Sequence, residues 1–377
     1  MFSRQKLCPI DAEILADVLS EWQTLWPEMG VLVLLPEAEK AAIPILQRLC
    51  RDKDIPMLGA IFPALITNSG FATRGAWLLC FDRMPQWFLI EDLGAPGRES
   101  LVAQAETLLK AKTTEGPMPT LFMIFDGMIP NVSTHLYLLS GILKSRLKFG
   151  GVNAGSETFE PMPCLFSSEK TVCNGVLGLL LPQETRLVVR HGYPVSKKLM
   201  SATSGEGNRI DRIDGRPAFD VYQDVMATEF GINLNRENFY EYAVHFPFGV
   251  VTTLNVLVRI PVGFNADGSL YCVGEVPSHS LLRLLKAPEF ETSSCVGELS
   301  DLLVGTESNA PTRSLLTFYC AGRRMHFGDA AEQETMQLKS RTKAAELIGA
   351  LSLGEFDQDR TFGFPSFHNA AIVCMAL

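Results

Sequence analysis

Across its 377 residues the sequence carries no C-x-x-C pair, no G-x-G-x-x-G or G-x-x-x-x-G-K-[ST] loop, no G-x-S-x-G elbow and no H-E-x-x-H helix. These absences remove the usual signatures of dinucleotide and nucleotide binding, serine hydrolysis and zinc peptidase chemistry. Positive charge is also short: 33 Lys and Arg stand against 42 Asp and Glu, a formal charge of −9. That balance argues against nucleic acid or an anionic membrane surface as partner. No apolar run reaches the roughly 18 residues that a bilayer demands. The opening stretch, Met1-Phe-Ser-Arg-Gln-Lys-Leu-Cys-Pro-Ile-Asp11, lacks the apolar core of a signal peptide. The nine cysteines are odd in number and mostly sit inside apolar runs, as in Leu79-Cys80-Phe81 and Val373-Cys374-Met375. Buried thiols in a reducing compartment are used this way, so a cytoplasmic setting is expected.

What is present is apolar bulk. With 47% hydrophobic and 20% charged residues, the chain can bury a large core as two domains or one large double layer. Val31 to Leu35 and Leu121 to Phe125 read as core strands, each followed by a segment of helical spacing, 37–52 and 132–147 respectively. Gly75 to Phe81 and Trp87 to Ile90 read as paired strands around Arg83-Met-Pro85, and Ser100 to Lys112 as a helix. Pro217 suits the first turn of a helix ending near Gly231. Asn255 to Ile260, Ser269 to Val276 and Arg313 to Ala321 read as strands, and Asp329 to Ile348 as a long amphipathic helix. Strands alternating with helices predict an α/β architecture. A helix running into a glycine-alanine-rich extended segment occurs three times: before Leu58-Gly-Ala-Ile61, Gly150-Gly-Val-Asn-Ala-Gly155 and Gly349-Ala-Leu-Ser-Leu-Gly354. This is read as a weak internal repeat.

Several ordered landmarks point further. They are Leu121-Phe-Met-Ile-Phe-Asp-Gly127, Gly150 to Gly155, His191-Gly-Tyr-Pro194, Arg209 to Ala218, Cys320-Ala-Gly-Arg323, Gly349 to Glu355 and Phe367-His-Asn369. Together they resemble the FIST family of bacterial sensory proteins. The resemblance implies two mixed α/β modules, a FIST N-type domain over 1–214 and a FIST C-type domain over 215–377, with sheets flanked by helices. It also implies a non-enzymatic, cytoplasmic small-ligand sensor that regulates a separate histidine kinase or other signalling protein, since the chain ends directly after the second module. One subgroup, the NosP type, binds haem and senses nitric oxide, so haem b is the suspected cofactor and nitric oxide the suspected gas. A homodimer is a further expectation.

Haem requires an apolar slot and an axial ligand, most often a neutral imidazole. His245, set in Tyr242-Ala-Val-His-Phe-Pro-Phe248, is the leading metal ligand, with Phe246 and Phe248 as pocket walls. His279 and His326 are the alternatives, and Arg323 and Arg324 could meet the propionates. The bland reading of any such histidine is a hydrogen-bonded core residue. The non-haem alternative is an amino-acid-like ligand held by backbone amides at Gly150, Gly151, Gly155 and Ser156, with Arg259 or Arg323 on its carboxylate. Against it stands tight helix–strand packing, which also needs small residues.

Overall fold

The computed structural model describes residues 2–93, 95, 100–110, 118–143, 146–181, 187–194, 198–252, 255–304, 314–358 and 365–377. Of the expected elements, Lys112, Lys144 and Arg313 lie outside the described residues. The fold is mixed α/β, and the described residues form three six-stranded sheets and one of eight strands.

The three six-stranded sheets share one plan. Gly30–Pro36 runs parallel to Met57–Phe62, Thr120–Asp126 to Lys148–Ala154, and Leu315–Cys320 to Leu347–Ser352. Parallel neighbours need a crossover. The helices Ile43–Asp52, Val132–Leu143 and Ala330–Thr342 lie on these three connections. All three leading strands are buried along their whole length, which explains their unbroken apolar sequences. A closing strand then pairs antiparallel with each leading strand: Ala76–Phe81, Val176–Leu181 and Ile372–Ala376. An edge strand borders each closing strand: Phe2–Cys8, Gln86–Ile90 and Leu187–Arg190.

Each repeat also donates a hairpin to another. Leu65–Thr67 pairs with Leu347–Ser352, Leu165–Ser167 with Met57–Phe62, and Glu355–Gln358 with Lys148–Ala154. The register is the same each time. Ile66 stands opposite Gly349, Phe166 opposite Gly59, and Phe356 opposite Gly151. Gly59 and Gly151 leave room for the facing Phe166 and Phe356, and all three glycines leave room for the neighbouring backbone. A Cβ at Gly349 would lie 1.7 Å from the Thr317 carbonyl oxygen, and one at Gly151 1.8 Å from that of Met123. At the centre, Ile61 donates to the Cys164 carbonyl, Asn153 to Gly354 and Leu351 to Ala64, one bond per junction. The repeat expected from the glycine-alanine segments is thus present as a threefold arrangement.

Ala76–Phe81 and Gln86–Ile90 do not pair with each other; they belong to different sheets. Ala76–Phe81 is buried throughout and takes an interior place between Phe2–Cys8 and Gly30–Pro36, where both its faces are covered. Adjacency in sequence was a poor guide here because the repeat boundary falls between the two strands.

The third repeat is interrupted. Between Leu187–Arg190 and Leu315–Cys320 the chain builds the eight-stranded sheet, including Met200–Glu206, Arg209–Ile213, Phe248–Val251, Val256–Arg259, Pro261–Phe264 and Leu270–Cys272. The helix Ala218–Phe230 packs on it through Phe219 and Tyr222, and ends at Gly231 in the left-handed region (φ 68°), as its sequence predicts. Among the described residues no helix is long and apolar enough to cross a membrane.

Candidate functional site: a cleft between insert and core

Leu315–Cys320 ends at a short helix, Ala321–Phe327, so Cys320, Ala321 and Gly322 lie at the carboxyl end of a parallel strand. Leu353 follows the neighbouring strand Leu347–Ser352, and Glu157 follows Lys148–Ala154. Open α/β sheets hold ligands beyond the carboxyl ends of their strands. Here these residues form one side of an apolar cavity of about 230 Å³. The insert forms the other side with Tyr240, Val244, Ile260 and Val262. A second, more polar recess of about 470 Å³ adjoins it, sharing Glu157 and Met325 and adding Arg324, Asp329 and Glu332.

The cavity lining includes Asn369, which is 1% exposed. Its Nδ2 donates to the His368 carbonyl at 3.2 Å, while Oδ1 has no hydrogen-bond partner among the described residues. Nearby, Glu355 is fully buried, with one carboxyl oxygen 2.5 Å from Ser352 Oγ and the other accepting from the Ala371 amide. Burial pushes the Glu355 carboxyl up to about 8, against the hydrogen bond from Ser352, so it holds its proton at neutral pH. Burial likewise lifts the Cys320 thiol above the ordinary range, with Glu355 adding to the effect. Cys320 Sγ accepts from the Ala370 amide at 3.1 Å.

The residues singled out from sequence are placed elsewhere, with one exception. His245 and His326 meet, Nδ1 to Nδ1 at 2.6 Å, and His326 Nε2 lies 2.9 Å from the Pro288 carbonyl. A carbonyl accepts only, so His326 Nε2 carries the proton, His326 Nδ1 accepts, and His245 Nδ1 donates. Burial lowers both imidazole pKa values, so the pair is neutral. Neither ring lines a cavity described above. His279 stands exposed on a turn at φ 65°. Phe246 and Phe248 pack in the insert's own core beside Tyr222, whose hydroxyl donates to the Phe246 carbonyl at 2.8 Å.

Arg323 is fully buried, paired with Glu334 at 2.6 Å and donating also to Ser293 and to the carbonyls of His191 and Ala370. Arg259 is 2% exposed and donates to the carbonyls of Glu275, Val258 and Phe367. Burial draws Arg259 down to about 10, so it stays charged at neutral pH. Both guanidiniums join parts of the fold, and neither lines a cavity described above. Gly150 lies under Leu187, and Gly151 under Phe356. The Gly155 amide donates to Ile61, and the Ser156 hydroxyl is 2.8 Å from that of Thr158. These positions serve packing and turn geometry and form no amide cradle. Arg324 is the exception: it lines the polar recess, over the Phe71 ring and 3.9 Å from Glu157.

This set does not fit haem. His245 and His326 are tied to each other, His279 stands on an exposed turn, and none of the three lines the cavity; the flanking phenylalanines are core residues, and the one cavity thiol is held protonated. Among the described residues, no three His, Cys, Asp or Glu side chains are grouped to hold a metal ion either.

Family models match in two consecutive stretches, the FIST N domain over residues 31–216 and the FIST C domain over 218–358. The chain belongs to the FIST-domain family. FIST domains are associated with the sensing of small ligands in signal transduction. A search of curated proteins finds no match. The FIST N match contributes Glu157 and Phe159 to the cleft, and the FIST C match contributes the insert wall and Cys320 to Leu353. Asn369, the buried lining amide, lies beyond both matches. Reading the sequence marked Gly349 to Glu355 and Phe367 to Asn369 as informative segments, and both lead to this lining. Neither Glu355 nor Asn369 was assigned a ligand role, since nothing local in the sequence distinguishes them from ordinary strand-end residues.

Proposed function

We propose that this FIST protein senses a small, largely apolar, non-haem ligand in the cleft between insert and core, and that a separate signalling protein, a histidine kinase foremost, reads the occupied state. The reading rests on an apolar recess at strand carboxyl ends, walled by the insert on one side and by the core on the other. A ligand there touches Ile260 and Val262 on one side and Met325 and Leu353 on the other. It therefore favours whichever arrangement of insert and core brings those surfaces together, to the extent that it binds that arrangement better. A coupling of about 1–3 kcal/mol suffices to alter a partner's affinity several-fold. Turnover is no part of this role, and nine free cysteines suit a reducing, cytoplasmic setting.

The test is ligand-dependent kinase binding by the wild-type protein and by Val262→Trp, which fills the mouth from a position 38% exposed. Ligand should change kinase affinity in the wild type and not in the variant. Equal responses in both would place the ligand elsewhere. A Soret band in haem-loaded protein that disappears in His245→Ala would overturn the non-haem reading.

A further inference from the structure

Eight of the nine free cysteines are buried; Cys173 alone is partly open to solvent. Its place in the fold gives it a partner. In the hairpin of Leu165–Ser167 and Thr171–Val172, Phe166 stands opposite Thr171 and Leu165 opposite Val172, so the next pair outward is Cys164 with Cys173. Main-chain bonds define that pair. The Ser167 amide donates across the hairpin to the Lys170 carbonyl, whereas the Cys164 carbonyl faces the other way and accepts from Ile61. The Cys173 carbonyl also turns outward, accepting from the Asp92 amide at 3.5 Å. Alternation along an antiparallel ladder therefore makes Cys164 and Cys173 a non-hydrogen-bonded pair, with Cα atoms about 4.5 Å apart and side chains at their closest. A disulfide needs Cα atoms roughly 4.4–6.8 Å apart.

Asp126 ties the two positions together. Its Oδ2 accepts from the amide of Asn174, the residue after Cys173, at 2.7 Å, and its Oδ1 accepts from Met128 at 2.9 Å. The Cys164 thiol is hydrogen-bonded to the same carboxyl group. Burial lifts that thiol well above its ordinary range, and Asp126 and Cys173 add to the effect. Cys164 is thus inert by itself but has a proton acceptor beside it.

We infer that Cys164 and Cys173 are a redox-active pair that a peroxide closes into a disulfide. Cys173 reacts first. Its thiolate, having released a proton to water, attacks the peroxide; an S–O bond forms, the O–O bond breaks, and hydroxide departs as water after taking up a proton. Cys164 sulfur then attacks Cys173 Sγ while its proton passes to Asp126. The S–S bond forms, the S–O bond breaks, and hydroxide leaves as a second water when it collects that proton. Two thiols supply the two electrons that turn one hydrogen peroxide into two waters. Cellular thiols reverse the step by exchange. The cross-link sits at the end of segment 156–163, which carries Glu157 and Phe159 to the cleft.

The test is peptide mapping of the full chain, treated with hydrogen peroxide, alkylated in denaturant and digested without reduction. Peroxide should remove two of the nine alkylatable thiols and join the peptides of Cys164 and Cys173, and dithiothreitol should restore all nine. Cys164→Ser should hold Cys173 as a sulfenic acid that dimedone captures, and Cys173→Ser should protect Cys164. A chain that resists peroxide, a cystine joining another pair, or Cys173 carried on to sulfinic acid with Cys164 still free would overturn the pairing. Oxidation of Cys164 in Cys173→Ser would overturn the order of steps. If Cys164→Ser does not fold, the wild-type map and Cys173→Ser, changed at a partly exposed position, decide.

Discussion

The first and third repeats superpose in plan and part company in chemistry. At the glycine opposite the donated hairpin they agree: Gly59 and Gly349, like Gly151 in the second repeat, each let a neighbouring strand or side chain come close. One residue before the facing Ile66, Phe166 and Phe356 they differ. The first two repeats carry Leu65, opposite Ala350, and Leu165, opposite Ala60, and the third carries Glu355, opposite Val152. All three positions are fully buried. Where the repeats agree, the residue serves the fold they share. Where one puts a carboxyl group in place of leucine, the requirement is local to that repeat, and here it lies beside the cleft residues Cys320 and Asn369.

The largest effect should come from breaking what the repeats share. Gly349→Ala and Gly151→Ala place a methyl group against a main-chain oxygen that cannot move away, so each should cost about 4 kcal/mol or more and give little folded protein by urea titration. Gly59→Ala meets mainly the Phe166 ring, 2.2 Å away, which can turn; a smaller cost of about 1–3 kcal/mol is expected. Equal costs at all three positions would remove the distinction between backbone and side-chain crowding.

Next is the charge pair found in the third repeat. Glu334→Ala leaves Arg323 buried and unpaired and should cost about 3–5 kcal/mol by chemical denaturation.

Glu355 sharpens the contrast through pH. Its folded value of about 8 lies above its free value of 4.5. Its contribution is therefore complete below about 4.5 and declines as pH rises through 8, because the unfolded chain releases the proton first. His191 acts in the opposite direction: lowered from 6.5 to about 4, chiefly by burial and then by Arg323, it costs stability only as pH falls below 6.5. Between pH 6.5 and 8, stability should thus fall by about 1.4 kcal/mol per unit. Glu355→Gln should flatten that slope, and Glu355→Leu, the residue of the other repeats, should flatten it without loss of stability at pH 8. A slope unchanged in Glu355→Gln would assign the titration to another group.

The smallest stability effect belongs to Val262→Trp, within about 0.5 kcal/mol in thermal unfolding, since the side chain is partly in water already.

How much of this could be read from sequence follows from the range of the interactions involved. The leading strands and their crossover helices were legible because apolar runs and helical periodicity are local, although the last helix ends at Thr342 and Leu347 and Ile348 open the next strand. The three glycine-alanine segments showed the repeat for the same reason. The exchange of hairpins was not visible, since nothing local says that Leu65 faces Ala350. The histidines misled because an apolar neighbourhood looks alike whether a ring faces a cavity or another ring: His245 spends its nitrogen on His326, 81 positions away. Arg259 and Arg323 looked like ligand clamps, yet their carbonyl and carboxylate partners come from distant strands and loops. Asn369 was read inside a family stretch, and only its missing partner in three dimensions sets it apart.

The exchanged hairpins also bear on how the chain is made. The hairpin Leu65–Ala72 finds its strand partner only at Leu347–Ser352, and Asn68 bonds Leu347 across 279 positions of sequence. At about 5–20 residues per second on the ribosome, that apolar edge emerges roughly 15–60 s before the strand that covers it. During this interval it is open to any passing β-edge, so faster synthesis shortens the window in which the hairpin can pair wrongly before the three sheets close on one another.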